Sequence, residues 1–370
     1  MRRRDWLAAT GALAGATALG GIDSAAGEAE LLVQTLRLEL RHTWTTTMSS
    51  SDHRDTVLVR FRKDGVEGLG EGAPIVRYGE DPAGARRALE GIRELVTAAD
   101  PWALQTLLAR AFARLEGQYA ARAALDLALH DWVGKGLGVP LYRLLGLDPT
   151  QAPLTSFSIG IDRPEVIRRK VREAEEFPIL KIKVGLDRDE ATIDAVRSVT
   201  DKPLRVDANE GWKDRETAVR KIEWLAARGV ELVEQPLPAA MLEETRWVRE
   251  RVEVPVFADE ACGRARDVPR LAEAYDGVNI KLDKAGGLRE ALRTIHTARA
   301  CGLATMLGCM ISSSLSTTAA AHLSPLVDHA DLDGHLLIAN DPWSGVEVRA
   351  GRLILPDRPG LGVRPSDDDA

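Results

Sequence analysis

Lys183, Asp207, Glu234, Asp259, Lys281, Cys309 and Asp333 each stand at or near the end of a short apolar run, at successive spacings of 24, 27, 25, 22, 28 and 24 residues. Six of these seven are ionisable. One such residue could be a satisfied core charge, but six at equivalent positions point to a shared site. Asp207, Glu234 and Asp259 fall on three consecutive runs, and three converging carboxylates repel one another unless a cation sits among them. An all-oxygen set with no histidine nearby in sequence suits a hard divalent ion, so one Mg²⁺ per chain is expected rather than Zn²⁺. Asn209 and Gln235, close behind two of the acids, are amides placed to orient the ligands.

Lys183 and Lys281 lie on either side of the acidic trio. In "ILKIKVG" (179–185) Lys181 precedes Lys183 by two positions, so both leave the same face of a strand. Two neighbouring ammonium groups oppose each other's charge, and Lys181 is expected to depress the pKa of Lys183 toward that of a usable base. A divalent ion between two opposed lysines suits removal of a proton α to a carboxylate. The ion stabilises the enediolate, one lysine takes the proton from one face, and the other returns one to the opposite face. The expected reaction is therefore racemisation or epimerisation.

The elements that must hold these residues repeat about every 25 residues. The runs "LTSFSIGI" (154–161), "ILKIKVG" (179–185), "PLRVDAN" (203–209), "ELVEQP" (231–236), "VPVFADE" (254–260), "GVNIKLD" (277–283), "ATMLGCM" (304–310) and "HADLDGH" (329–335) alternate with amphipathic stretches such as "PEVIRRKVREAEE". Eight strand–helix units in series predict an α/β fold of the (β/α)₈ type, a TIM-like barrel, with the last helix weakly marked. A doubly wound sheet is disfavoured because no Gly-rich phosphate turn follows the first run. Ahead of the barrel, "LLVQTLRLELRH" and "DTVLVRFRKDGVEGLGEG" alternate like antiparallel strands turning at Asp64-Gly65, and "AGARRALEGIRELVTA" and "QYAARAALDLALHDWVGKGLG" read as helices. "VEVRAGRLILP" reads as a further hairpin. The expected layout is an α+β capping domain over 29–153, a barrel over 154–336, and a C-terminal segment, 337–370, that returns to the cap.

Taken as a set, "KIKVG", "RVDANEGW", "VEQP", "ADE" and "NIKLDKAGG", with "GLGEGAP" near the start and "PGLGV" near the end, resemble the enolase superfamily in its muconate-lactonising branch. The resemblance implies a capped barrel, Mg²⁺ held by Asp207, Glu234 and Asp259, and Lys183 and Lys281 as the catalytic pair supported by Lys181. Within that branch "DLDG" (331–334) is similar to the Asp-x-Asp of the dipeptide epimerases related to L-Ala-D/L-Glu epimerase. It implies that Asp331 and Asp333 bind the free ammonium of a dipeptide whose C-terminal residue is inverted at its α-carbon. Glutamate-using members carry an arginine in a capping loop. Here that place falls near Ser49, and Arg54 lies several residues beyond it, so a hydrophobic, polar or basic side chain is equally open. Met310 and Ile311 are further expected substrate contacts, and Arg77 and Tyr78 belong to a second capping loop. An o-succinylbenzoate synthase or muconate-type cycloisomerase would use the same scaffold with one base and no ammonium receptor. A Schiff-base lyase with a nucleophilic lysine and a non-catalytic exported dipeptide-binding protein are the alternatives outside that chemistry.

Composition narrows the field further. A net charge of −7 with only 5% aromatics and no basic block argues against nucleic acid. Cys262, Cys301 and Cys309 are too few and too irregular for a disulfide framework, and Cys309 reads as a small core residue. Residues 1–28 have a basic start, a small-residue apolar run and Ser24-Ala25-Ala26 as a cleavage region. Arg3-Arg4-Asp5-Trp6-Leu7 looks like a twin-arginine signal. Export to the periplasm is expected, a cytoplasmic enzyme being the alternative, with no stable membrane insertion of the mature chain. A homo-oligomer is plausible for the family.

Overall fold

The computed structural model describes residues 28–366; the expected export signal, with Arg3, Arg4 and the Ser24–Ala26 region, lies outside the described residues. Strands β1 (Glu30–Thr45), β2 (Ser50–Lys63) and β3 (Val66–Gly72) form an antiparallel sheet in that order. Asp64 and Gly65 both take positive φ, 51° and 74°, the signature of a tight hairpin turn between paired Lys63 and Val66.

The "GLGEG" run explains how a helix lies directly on this sheet. Gly68, Gly70 and Gly72 alternate along one face of β3, and a Cβ at each would stand 2.0–2.1 Å from the carbonyl oxygens of Ala128, Ala124 and Ala120. Those alanines sit four apart on one stripe of a long helix, so backbone packs against backbone. The cap's helices are α1 (Pro82–Glu90), α2 (Arg93–Thr97), α3 (Leu104–Arg114), this long α4 (Tyr119–Leu137) and the short α5 (Leu141–Leu144). "AGARRALEGIRELVTA", expected as one helix, breaks at Gly91-Ile92 into α1 and α2. α4 is buried on every side from Ala120 to Gly134 because its other side meets the barrel, where Leu288 N donates to Asp126 Oδ1 at 2.8 Å.

Eight parallel strands follow in sequence order: β4 (Phe157–Ile159), β5 (Leu180–Lys183), β6 (Leu204–Asp207), β7 (Val230–Glu234), β8 (Val256–Ala258), β9 (Gly277–Lys281), β10 (Ala304–Gly308) and β11 (His329–Asp331). A Thr155–Ala330 bridge closes the ring. The expected TIM-like barrel with a capping domain is therefore borne out. Its outer layer is α6 (Pro164–Glu173), α7 (Asp189–Arg197), α8 (Arg215–Ala226), α9 (Leu242–Arg249), α10 (Val268–Leu271), α11 (Leu282–Ala285), α12 (Leu288–Ala300) and α13 (Ser314–Ala321).

After β11 the described residues hold only a 3₁₀ turn, Gly334–Leu337, where an eighth helix would stand. The chain leaves instead for the cap. Ile338 bridges Leu40, Leu141 N donates to Gly360 O at 2.8 Å, and Leu361 N to Asp131 Oδ1 at 2.7 Å. On the way β12 (Trp343–Ser344) pairs with the terminal β15 (Arg364–Pro365), and β13 (Glu347–Arg349) with β14 (Arg352–Ile354) forms the hairpin expected from "VEVRAGRLILP". Among the described residues no helix is long and apolar enough to cross a membrane.

Candidate active site

Parallel strands in sequence order bring their C-terminal ends to one rim. Lys183 pairs in register with Asp207, and Asp207 with Glu234, so the three occupy one row; Asp259 follows directly on β8. Asp207, Glu234 and Asp259 each place an oxygen within 4.8 Å of the others, and all three are buried. The expected trio is thus a real cluster.

The two expected bases flank it. Lys183 Nζ donates to Asp207 Oδ2 at 2.6 Å, and Lys281 Nζ to Asp259 Oδ2 at 2.7 Å. β5 and β9 lie four places apart in a ring of eight, on opposite sides of the mouth.

The expected conflict between Lys181 and Lys183 needs correcting. Lys181 is buried, but its Nζ lies 2.7 Å from Glu234 Oε2, 2.8 Å from Asp331 Oδ2 and 3.3 Å from the same Asp207 oxygen that Lys183 holds. Carboxylate charge separates the two ammoniums. Burial works against the charge on Lys181, but Asp331 and Glu234 outweigh it and hold the ammonium well above its ordinary range. The residue is a fixed cation at the base of the site rather than a strained neighbour.

The charge balance is uneven across the trio. Burial would raise Asp207 and Asp259, yet Lys183 and Lys181 pull the first down, and Lys281 and Lys284 pull the second well down. Glu234 goes the other way: burial and the Asp207 charge push it up to about 7. Positive charge is short at Glu234, and a divalent cation among the three acids supplies it. Three buried carboxylates, all hard oxygen donors, fit Mg²⁺.

Supporting residues differ from expectation in detail. Gln235 works through backbone: its Oε1 accepts from Asp259 N at 3.0 Å and Ala261 N at 3.1 Å, while Nε2 donates to Leu237 O and Tyr275 Oη. Asn209 N donates to Asp207 Oδ1 at 2.9 Å, but its side-chain amide goes to Glu260. Two orienting residues were missed. Asn279 Nδ2 donates to Glu234 Oε1 at 2.7 Å; its place two residues before Lys281, on the same strand face, was the available signal. Lys284 Nζ donates to Asp259 Oδ1 and to Asn279 O, from the turn of helix after β9, where no strand alternation marks it.

Asp331 and Asp333 are both buried but differently occupied. Asp331 accepts from Lys181 at 2.8 Å and from Ser156 Oγ at 2.7 Å. Asp333 accepts from Ser158 N at 2.6 Å, and burial together with the Asp331 charge lifts it to about 7. The second carboxylate is the one short of positive charge. Cys309, partly buried, donates to Asp331 O at 3.3 Å.

Of the expected cap contacts, Ser49 is exposed at the loop tip, and its neighbour Thr47 ties the loop to the barrel, its Oγ1 donating to Asn209 O at 2.7 Å. Arg54 is half-buried opposite Leu38, and among the described residues its side chain donates to His53 O. Burial lowers its pKa and no carboxylate offsets this. Leu38 packs with Ile311 and Ile338, which puts Ile311 beneath the cap; Met310 beside it is half-buried. Arg77 is taken up by Glu210, and Tyr78 stacks edge-on against Tyr119. A cavity of about 940 Å³ adjoins Ser158, Ile311 and His335 under the β1 strand, beside the charged centre rather than through it.

Comparison with known proteins agrees with this geometry. Residues 166–370 match the enolase C-terminal domain-like family, and residues 28–146 match the mandelate racemase / muconate lactonizing enzyme N-terminal domain. L-Ala-D/L-Glu epimerase of Bacteroides thetaiotaomicron is 43% identical over 88% of this chain and 85% of its own length. L-Ala-D/L-amino acid epimerase of Pedosphaera parvula is 42% identical over 88% and 97%. The crystal structure of a dipeptide epimerase from Cytophaga hutchinsonii, complexed with Mg and the dipeptide D-Ala-L-Val, superposes with a TM-score of 0.87 at 26% identity, covering 91% of this chain and 96% of that one.

Proposed function

The chain belongs to the enolase superfamily, in its mandelate racemase / muconate lactonizing enzyme branch, and within it we propose that this protein is an isomerase that epimerises dipeptides with Mg²⁺. The observation that carries this reading is the placement of Lys183 and Lys281 on opposite strands, each hydrogen-bonded to a different member of the acidic trio. Asp207, Glu234 and Asp259 hold the ion, which when bound supplies Lewis-acid charge to the substrate carboxylate.

The chain's own residues do the rest. One lysine, as a neutral amine, accepts the proton from the α-carbon of the C-terminal residue. The opposed lysine, as an ammonium, delivers a proton to the other face. One C–H bond breaks and one forms, no electrons are exchanged with a cofactor, and the centre is inverted. Asp333 takes the free ammonium of the first residue, and the cap excludes water. A dipeptide library incubated with enzyme and Mg²⁺ in heavy water tests the reading. A gain of one mass unit with the appearance of the second diastereomer supports it, and binding without deuterium uptake rejects it.

Export by the twin-arginine route belongs to the same proposal, supported by Arg3-Arg4 and the small-residue run behind them. Loss of the periplasmic fraction in Arg3→Lys/Arg4→Lys would bear it out. A homo-oligomer is also part of it, to be read by light scattering.

A further inference from the structure

Both loops of the cap end on the same two residues of the barrel. The β1–β2 loop sends Thr47 Oγ1 to Asn209 O at 2.7 Å, and the loop of the 3₁₀ turn Val76–Tyr78 sends Arg77 to Glu210, Nε to Oε2 at 2.9 Å and Nη2 to Oε1 at 2.5 Å. Asn209 and Glu210 both sit in the left-handed region, φ 40° and 63°, a conformation asparagine tolerates but glutamate holds at a cost that its surroundings must offset. Those surroundings are visible. Asn209 N is bonded to Asp207 Oδ1, Glu210 N to Gln235 O at 2.9 Å, and Glu210 Oε1 also accepts from Ala239 N at 2.7 Å.

The seat for Thr47 is cut by a glycine. A Cβ on Gly185, at φ 104°, would stand 2.7 Å from Thr47 Cγ2 and 2.3 Å from Ala208 O. Gly185 lies two residues past Lys183 and Asn209 two past Asp207, so the loop tip is wedged between the segments that follow one expected base and one expected ligand. Between these anchors each loop tip carries an exposed apolar side chain, Val76 at 85% and Met48 at 46%, while Tyr78 is further held by its stacking on Tyr119.

We propose that Asn209-Glu210 is the latch on which both capping loops close, and that Arg77, Glu210 and Thr47 are positioning residues that set how much of the enzyme is closed over its substrate. Arg77 therefore does not read the substrate; it reads the barrel. The proposal rests on the epimerase reading only for its kinetic consequence. Cap closure sequesters a bound ligand, so loosening the latch weakens substrate retention more than it slows proton transfer. Because the bidentate pair is partly exposed, salt weakens it.

The test has two arms. Hydrogen exchange on the full chain without substrate follows the Thr46, Tyr78 and Gly79 amides, which close the turns of the two loops. In Arg77→Ala the Tyr78 and Gly79 amides should exchange about tenfold faster, and in Thr47→Ala the Thr46 amide likewise, with the barrel unchanged. Steady-state assays should show KM for a dipeptide raised about tenfold in Arg77→Ala and in Glu210→Ala, kcat changed severalfold less, and the double variant no worse than either single. Half-molar salt should raise KM in the wild type and leave Arg77→Ala nearly unaffected. Unchanged exchange in Arg77→Ala, additive single effects, or an equal loss confined to kcat would overturn the latch. If the protein turned over no dipeptide, the epimerase reading would fall, and the exchange arm would still decide on the latch.

Discussion

Lys183 and Lys281 face each other from strands four apart in a closed ring of eight, and each ammonium rests on a different carboxylate of one buried trio, Asp207 at 2.6 Å and Asp259 at 2.7 Å. In the proposed reaction a substrate carboxylate among those acids and their ion would have one amine on each side of its α-carbon. Inversion needs both amines, whereas exchange of the α-proton needs one.

Lys183→Ala and Lys281→Ala should accordingly each lose epimerisation by roughly 10³-fold. In heavy water each variant should still exchange the α-proton of one diastereomer, and the two variants should differ in which one. Chiral chromatography with proton NMR reads both outcomes. Retained epimerisation in either variant would refute the two-base assignment.

The Asn279 side chain supports Glu234 through the 2.7 Å bond to Oε1. Asn279→Ala should weaken Mg²⁺ binding roughly 10- to 100-fold without unfolding the barrel. Calorimetric titration of chelator-stripped protein measures this, and activity should vanish with chelator and return with Mg²⁺. Unchanged affinity in the variant would show that Glu234 needs no such support.

Asp331 and Asp333 should separate by function. Asp331→Asn removes a partner of the buried Lys181 ammonium, so it should lower stability and depress turnover of every substrate. Asp333→Asn should raise KM for dipeptides with a free amine and leave stability nearly unchanged. A variant protein that processed an N-acylated analogue as well as the free dipeptide would identify Asp333 as the ammonium receptor. Equal effects of the two substitutions would contradict the division.

His322 links three elements: Nδ1 accepts from Tyr142 N at 3.2 Å and Nε2 donates to Leu361 O at 3.1 Å. Burial depresses its pKa to about 4, below the unfolded value near 6.5. The unfolded chain thus binds the proton first, and stability present above about pH 6.5 is lost as pH falls toward 4. The full contribution is about 3 kcal/mol. Urea midpoints at pH 7.5 and pH 5 should fall more steeply in the wild type than in His322→Gln. A flat wild-type profile would rule this out.

Much of the architecture was legible because it repeats. Strand-like runs about every 25 residues put Lys183, Asp207, Glu234 and Lys281 at the ends of β5, β6, β7 and β9, and such ends meet at one rim. The Asp64-Gly65 turn was equally plain, since only a left-handed pair of residues closes so short a hairpin. The break at Gly91-Ile92 was hidden by an unbroken helical pattern, and the seating of Thr47 on Asn209 left no mark because no periodicity governs a loop tip.

What the sequence determined by itself, then, was which residues share a rim and a face, because strand alternation and the strand–helix repeat are local rules. Partnership was decided by the tertiary structure. Lys181 looked like a repelled neighbour two residues from Lys183, yet it is held by Asp331, 150 residues away, across the seam where β11 closes on β4. A charge in a buried strand takes its meaning from whatever opposite charge the closed barrel brings within about 3 Å, and that distance is set by ring closure, which no local pattern encodes.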